Sequence, residues 1–74
     1  MDLNKFTENF ALQFDDTPIE DIKPETVYEE LEEWSSLVAL TIIAMIDEEF
    51  SVGIGAKEIT GSVTVEGLFN TVME

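Results

Sequence analysis

Seventy-four residues suffice for one small domain with a modest core, which argues against a large enzyme with a buried, multi-residue active site. The hydrophobic share of 45% is that of a globular protein, but three lysines and no arginine face seventeen acids, for a net charge of −14. That field repels phosphate backbones and anionic membrane faces, so nucleic acid is excluded as a partner, and partners are expected to present basic patches. The chain has neither cysteine nor histidine, which excludes disulfides, thiolate chemistry and any triad of the serine-histidine type.

The first predicted element is a helix over Leu3 to Phe14, because Leu3, Phe6, Phe10 and Phe14 fall on one stripe at helical spacing. It is expected to end before Pro18. From Pro18 to Ser35 the pattern reads as a long loop with at most one short helical turn, pinned to the core by Ile19, Ile22, Val27, Leu31 and Trp34. A second helix is predicted from Ser36 to Phe50. Gly53, Gly55 and Gly61 break the chain after it, leaving room for one turn from Ala56 to Ile59. The last helix is expected over Val65 to Val72, capped by Thr64 and stapled by Val63 against Leu68. Gly67 within it should cost roughly 1 kcal/mol relative to alanine.

These elements describe an all-α fold, a small four-helix bundle of three longer helices and a short third one, with 1–74 as a single domain. The core is expected to hold Phe6, Phe10, Phe14, Leu31, Ile43, Ile46, Phe50, Ile54, Leu68 and Val72. The stretch from Met1 to Phe10 lacks the basic, long-apolar pattern of a signal peptide. The longest nearly apolar run, Leu37 to Ile46, is too short to cross a bilayer. A cytoplasmic monomer without membrane insertion is the expectation.

The second helix carries the most information. Between Leu37 and Ile46 its one polar residue is Thr41. At about 100° per residue, Ala39, Ile43, Ile46 and Phe50 centre one face, flanked by Leu40 and Ile42. Leu37, Val38, Ala44 and Met45 lie opposite, around Thr41 and Glu48. A bundle of this size can hardly bury both faces, so the second face, Leu37, Val38, Thr41, Ala44, Met45 and Glu48, is expected to bind a partner. Acids surround it: Glu29, Glu30, Glu32 and Glu33 before the helix, Asp47, Glu48 and Glu49 at its end. An apolar patch with such a rim suits partners edged with lysine and arginine. No metal site is expected. A calcium-loop register from Asp47 to Glu58 fails at its sixth position, which is Val52 where the turn needs glycine. No catalytic residues are expected either, because nothing suggests a dry cleft that could separate two carboxylate pKa values.

Glu33-Trp34-Ser35-Ser36-Leu37, followed fourteen residues after Ser36 by Phe50 in Asp47-Glu48-Glu49-Phe50, resembles the acyl carrier proteins. That family has Asp-Ser-Leu at the start of its second helix and an acidic run with phenylalanine at its end. The resemblance covers nearly the whole chain. It implies that Ser36 is esterified with phosphopantetheine by a phosphopantetheinyl transferase. The protein would then be a carrier and not an enzyme, holding acyl, aminoacyl or polyketide-type groups as thioesters. It would deliver them between enzymes of fatty acid, polyketide or similar biosynthesis. Cargo held between the helices would lie among Phe10, Ile43, Ile46, Ile59 and Leu68. Ser35 departs from the family's aspartate. It can still cap the helix, but it brings no negative charge to the positive end of the helix dipole. The alternative is an acidic interaction module, such as a nucleic-acid mimic that binds a basic protein and has no use for Ser36.

Overall fold

The apolar stripe that opens the chain is helical for less of its length than the spacing predicts. A computed structural model describes residues 2–74, and α1 in it spans Leu3–Ala11. The Asp2 carboxylate caps it by accepting from the Lys5 amide at 2.7 Å. Beyond Ala11 the amides of Gln13 and Phe14 donate to the carbonyls three residues back, at 3.2 and 3.1 Å. The helix tightens there and stops before Phe14. The Phe14 side chain is nonetheless buried beside Phe10, their rings 5.7 Å apart.

The long connection contains two 3₁₀ turns, Ile19–Asp21 and Tyr28–Glu30, where the sequence predicts at most one. Of its expected anchors Ile22 is buried, and Val27, Leu31 and Trp34 are half-buried. Ile19 instead faces outward. The strongest anchor is Tyr28, which the apolar spacing did not single out. It is fully buried, with its ring 5.5 Å from Phe10 and 4.9 Å from Trp34. Its hydroxyl donates to the Ile59 carbonyl.

The second helix, α2, spans Ser36–Phe50 as predicted. It ends where Ser51 takes a left-handed conformation (φ 58°) and its amide donates back to the Asp47 carbonyl at 3.0 Å. The third helix, α3, runs over Ala56–Ser62 and is longer than the single turn predicted. The Glu58 carboxylate starts it by accepting from the Gly55 amide at 2.9 Å. α4 spans Val65–Met73, and the Thr64 hydroxyl caps it by accepting from the Gly67 amide at 3.0 Å. Two more of its first-turn amides are satisfied from the long connection. Val65 donates to the Thr26 carbonyl at 3.2 Å and Glu66 to that of Pro24 at 2.8 Å. An isolated antiparallel bridge, Val27 to Thr64, accompanies them.

Two expectations about the α3–α4 corner are corrected. Val63 turns the corner at φ 65°, ψ −61°, with the Thr64 amide donating to the Ser62 carbonyl at 2.7 Å, a strained three-residue turn. Its side chain is 51% exposed, so it does not staple Leu68, which is buried. Gly67 is not a mere weakness of α4. A Cβ there would lie 2.2 Å from the Ser62 carbonyl oxygen, so the close approach of the corner requires glycine.

Among the described residues the fold is all-α, with four helices and no strand. Phe6, Phe10, Tyr28, Ile42, Ile46, Val65 and Leu68 form the fully buried centre. Of the predicted core, Leu31, Ile43, Phe50 and Ile54 are half-buried at its edge. Ile42, Met45, Ile59 and Val65 are buried without having been on that roster. Among the described residues no helix is long and apolar enough to cross a membrane.

Candidate functional site

Ser35 and Ser36 stand at the N-terminus of α2 in different roles. Ser35 is extended (φ −159°, ψ 171°), and its hydroxyl accepts from the Val38 amide at 3.2 Å, so it caps the helix. Ser36 is the first helical residue and is exposed. Its hydroxyl therefore sits at the positive end of a fifteen-residue helix. No acid occupies the first turn of that helix.

The segment leading to the serines is fixed by Glu33. Its carboxylate accepts from the amides of Asp15 at 2.8 Å and Asp16 at 3.0 Å, and from the Thr17 hydroxyl at 2.7 Å. The Thr17 hydroxyl, helped by those amides, holds the Glu33 carboxyl below its usual range. Glu33 reads in sequence as one more acid of the rim, but it ties the end of the α1 region to the entry of α2. A depression of about 550 Å³ beside this tie is lined by Asp16, Asp21, Glu32 and Glu33 and includes neither serine. Among the described residues no three acids converge as a metal-ligand cluster.

α2 is rotated by roughly a fifth of a turn from the orientation expected, taking about 100° per residue. Its buried line is Ile42, Met45 and Ile46, with Val38, Ala39, Ile43 and Phe50 half-buried beside it. Met45 is 6% exposed and belongs to the core, and Val38 is half-buried. Neither stands on the outer face where the spacing placed it. Leu40, expected beside the core, is 63% exposed and Leu37 is 74% exposed. With Thr41, Ala44 and Glu48, also exposed, they form the outer face. Thr41, Ala44 and Glu48 further line a shallow groove against Asn9, Leu12 and Gln13 of the α1 region. Asp47, Glu48 and Glu49 are exposed in the last turn, at the negative end of the helix, and that turn has no basic residue.

Between α2 and α3 an open cleft of about 530 Å³ begins at the serines. Trp34, Ser35 and Ser36 line it at the start of α2, and Ala39, Leu40 and Ile43 line it farther along α2. Ala56, Ile59 and Thr60 line it from α3, and Glu29 adds a carboxylate from the turn Tyr28–Glu30. Of the residues expected to surround cargo, Ile43 and Ile59 line this cleft. Phe10, Ile46 and Leu68 are fully buried in the core and do not. The phenol of Tyr28 fastens the Ile59 end of α3 from beneath. Burial, then the charge of Glu29, push its pKa up to about 12, against a smaller opposing influence of the Ser62 hydroxyl. Comparison with protein-family models, with curated proteins and with solved structures yields no match.

Proposed function

We propose that the protein is a carrier of the acyl carrier protein type, holding acyl or related groups on a phosphopantetheine arm esterified to Ser36. The observation that carries this reading is the joint position of Ser36. It is exposed, it stands at a helix N-terminus, and an apolar cleft opens directly beside it. The residues fit the arm. The first-turn amides and the dipole of α2 favour a phosphodiester, and Ser35, not Ser36, supplies the cap, which leaves the neighbouring hydroxyl for modification. The arm, when bound, supplies the thiol that a chain without cysteine lacks. Trp34, Ala39, Ile43 and Ile59 offer an apolar surface within the cleft for what the arm carries.

The outer face of α2 supports delivery to partner enzymes. Leu37, Leu40 and Ala44 are apolar and exposed, and acids stand around them. Three acids in the last turn oppose the helix dipole, a cost of about 0.3–1 kcal/mol each that a surface built only for stability would avoid. Such a face suits a basic partner surface with an apolar centre. An acidic module that masks a basic protein would use the same face but not the serine at the cleft.

Intact mass after incubation with coenzyme A and a phosphopantetheinyl transferase tests the reading. The wild-type chain is expected to gain one arm, and Ser36→Ala none, while Ser35→Ala still gains it. Uptake of the arm at Ser35 in the Ser36→Ala chain overturns the residue assignment. A wild-type chain that no transferase modifies overturns the carrier reading in favour of the acidic module.

A further inference from the structure

The cleft beside Ser36 carries charge of one sign only. Glu29 is its single carboxylate, and no lysine lines it. Glu29 lies in the turn Tyr28–Glu30, and its charge is close enough to act on the Tyr28 hydroxyl. Lys57, next to Ala56 in the chain, is not part of the lining, and its charge acts on Glu58. Glu30, beside Glu29 in the same turn, is exposed and adds to the negative side. Apart from Glu29 and the hydroxyls of Ser35, Ser36 and Thr60, the lining is aromatic and aliphatic. The Trp34 ring is held at 4.9 Å from Tyr28 and 6.3 Å from Phe14, and the half-buried residue lines the cleft. Ala39 and Ala56, the smallest aliphatic side chains of the lining, leave the cleft open.

We propose that this cleft accepts uncharged apolar acyl groups and rejects those ending in a carboxylate, with Trp34 as the wall the chain lies on and Glu29 as the excluding charge. The inference rests on the reading that Ser36 carries the arm, and it adds the class of cargo. An apolar chain entering the cleft sheds water from its own surface and from the indole, Ile43 and Ile59. A carboxylate entering it loses hydration, meets a like charge and finds no cation to pair with. Trp34 and Glu29 are positioning and selecting residues here; neither takes part in any bond made or broken.

The test uses the unmodified full chain, so that it does not depend on whether Ser36 is modified. Octanoyl-pantetheine and its ω-carboxylated counterpart are titrated in, read by Trp34 emission and by the methyl signals of Ile43 and Ile59. Trp34 is the chain's one tryptophan. The octanoyl probe is expected to saturate, and the carboxylated one to bind at least about tenfold more weakly, equivalent to about 1.4 kcal/mol. Glu29→Gln keeps the shape and is expected to close most of that gap without weakening the octanoyl probe. Trp34→Phe, read by the methyl signals, is expected to weaken both probes several-fold. Equal binding of the two probes, no saturation by the octanoyl probe, or a gap unchanged by Glu29→Gln each overturns the proposal. If the probes discriminate but no transferase modifies Ser36, the carrier reading fails and the selectivity of the cleft stands. If Ser36 is modified and the probes do not discriminate, the reverse holds.

Discussion

α1 and α2 are both rich in large apolar residues, yet they are related to the core in different ways. In α1 the apolar side chains share one stripe, with Asn4, Lys5 and Glu8 on the other side, all exposed. Only one rotation buries Phe6 and Phe10 while keeping those groups in water, and that rotation is observed. α2 is apolar nearly all round, so several rotations bury a similar area. Its neighbours choose among them, and the Phe6 ring, 5.6 Å from Phe50, is one of these neighbours. What remains outside, Leu37 and Leu40 above all, is surface the bundle does not cover. A polar face tells a helix how to sit; a second apolar face leaves its rotation to be decided by the neighbours it packs against.

The comparison predicts its largest effect in α1. Phe10 is fully buried and packs on Phe6, Phe14 and Tyr28, so Phe10→Ala is expected to cost about 4 kcal/mol in urea denaturation. The matching truncation on the outer face of α2, Leu40→Ala, should stay within about 0.5 kcal/mol. A comparable loss at Leu40 would mean that this face is buried after all. The next effect separates two residues that spacing alone puts on the same side of α2. Met45→Lys places a charge in the core and is expected to cost about 3 kcal/mol. Leu37→Lys should leave the unfolding midpoint nearly unchanged and, under the proposed carrier function, slow acyl transfer to a partner enzyme instead. If both variants melt alike, the rotation of α2 described above is wrong.

The same contrast explains how far residues alone led. The span of α2, the cap at Thr64, the capping role of Ser35 and the burial of Phe6, Phe10 and Leu68 follow from local patterns, and the structure has them. Each depends on neighbours within a few residues. The rotation of α2, the hydroxyl of Tyr28 on Ile59, the Glu33 carboxylate on the Asp15–Thr17 amides and the need for glycine at 67 all depend on partners far along the chain or on another element. No periodicity records these. Tyr28 could have been suspected as the single aromatic residue between Pro18 and Ser35 other than Trp34. Its polar tip and acidic neighbours suit a surface position equally well. The cleft was legible only in part: Ser36 marks its α2 side in sequence, but its other side comes from α3, which the glycines made look shorter than it is.

Tyr28 joins the two regions, since its ring packs on Phe10 of α1 and its hydroxyl holds α3. Tyr28→Phe removes the donor and leaves the buried Ile59 carbonyl unsatisfied, for an expected loss of about 1–2 kcal/mol. The wild-type chain also has a signature in alkali. The phenol ionises near its ordinary value when unfolded and only at about 12 when folded. The unfolded state therefore loses its proton first. The contribution is complete below pH 10 and is lost as pH rises through 12. Urea midpoints followed from pH 9 upward should fall for the wild type and show a shallower decline for Tyr28→Phe. Parallel curves would mean that the phenol is not held as described.

The smallest effect concerns two threonines, one in each helix. In α2 the Thr41 hydroxyl is exposed and donates to the Leu37 carbonyl at 3.0 Å, so water and backbone both satisfy it. In α1 the Thr7 hydroxyl is buried and has no hydrogen-bond partner, alone in this among the side chains described. Its desolvation is uncompensated, which opposes folding. Thr7→Val exchanges the hydroxyl for a methyl of similar shape at little change in helix propensity, and it is expected to raise stability by about 1 kcal/mol. Thr41→Val should change stability by less than about 0.5 kcal/mol, because nothing buried is relieved. The opposite sign at Thr7 would be informative. A stability lowered by Thr7→Val means that the hydroxyl does have a partner, a buried water being the simplest, and that the core of α1 is less dry than its aromatic stripe implies.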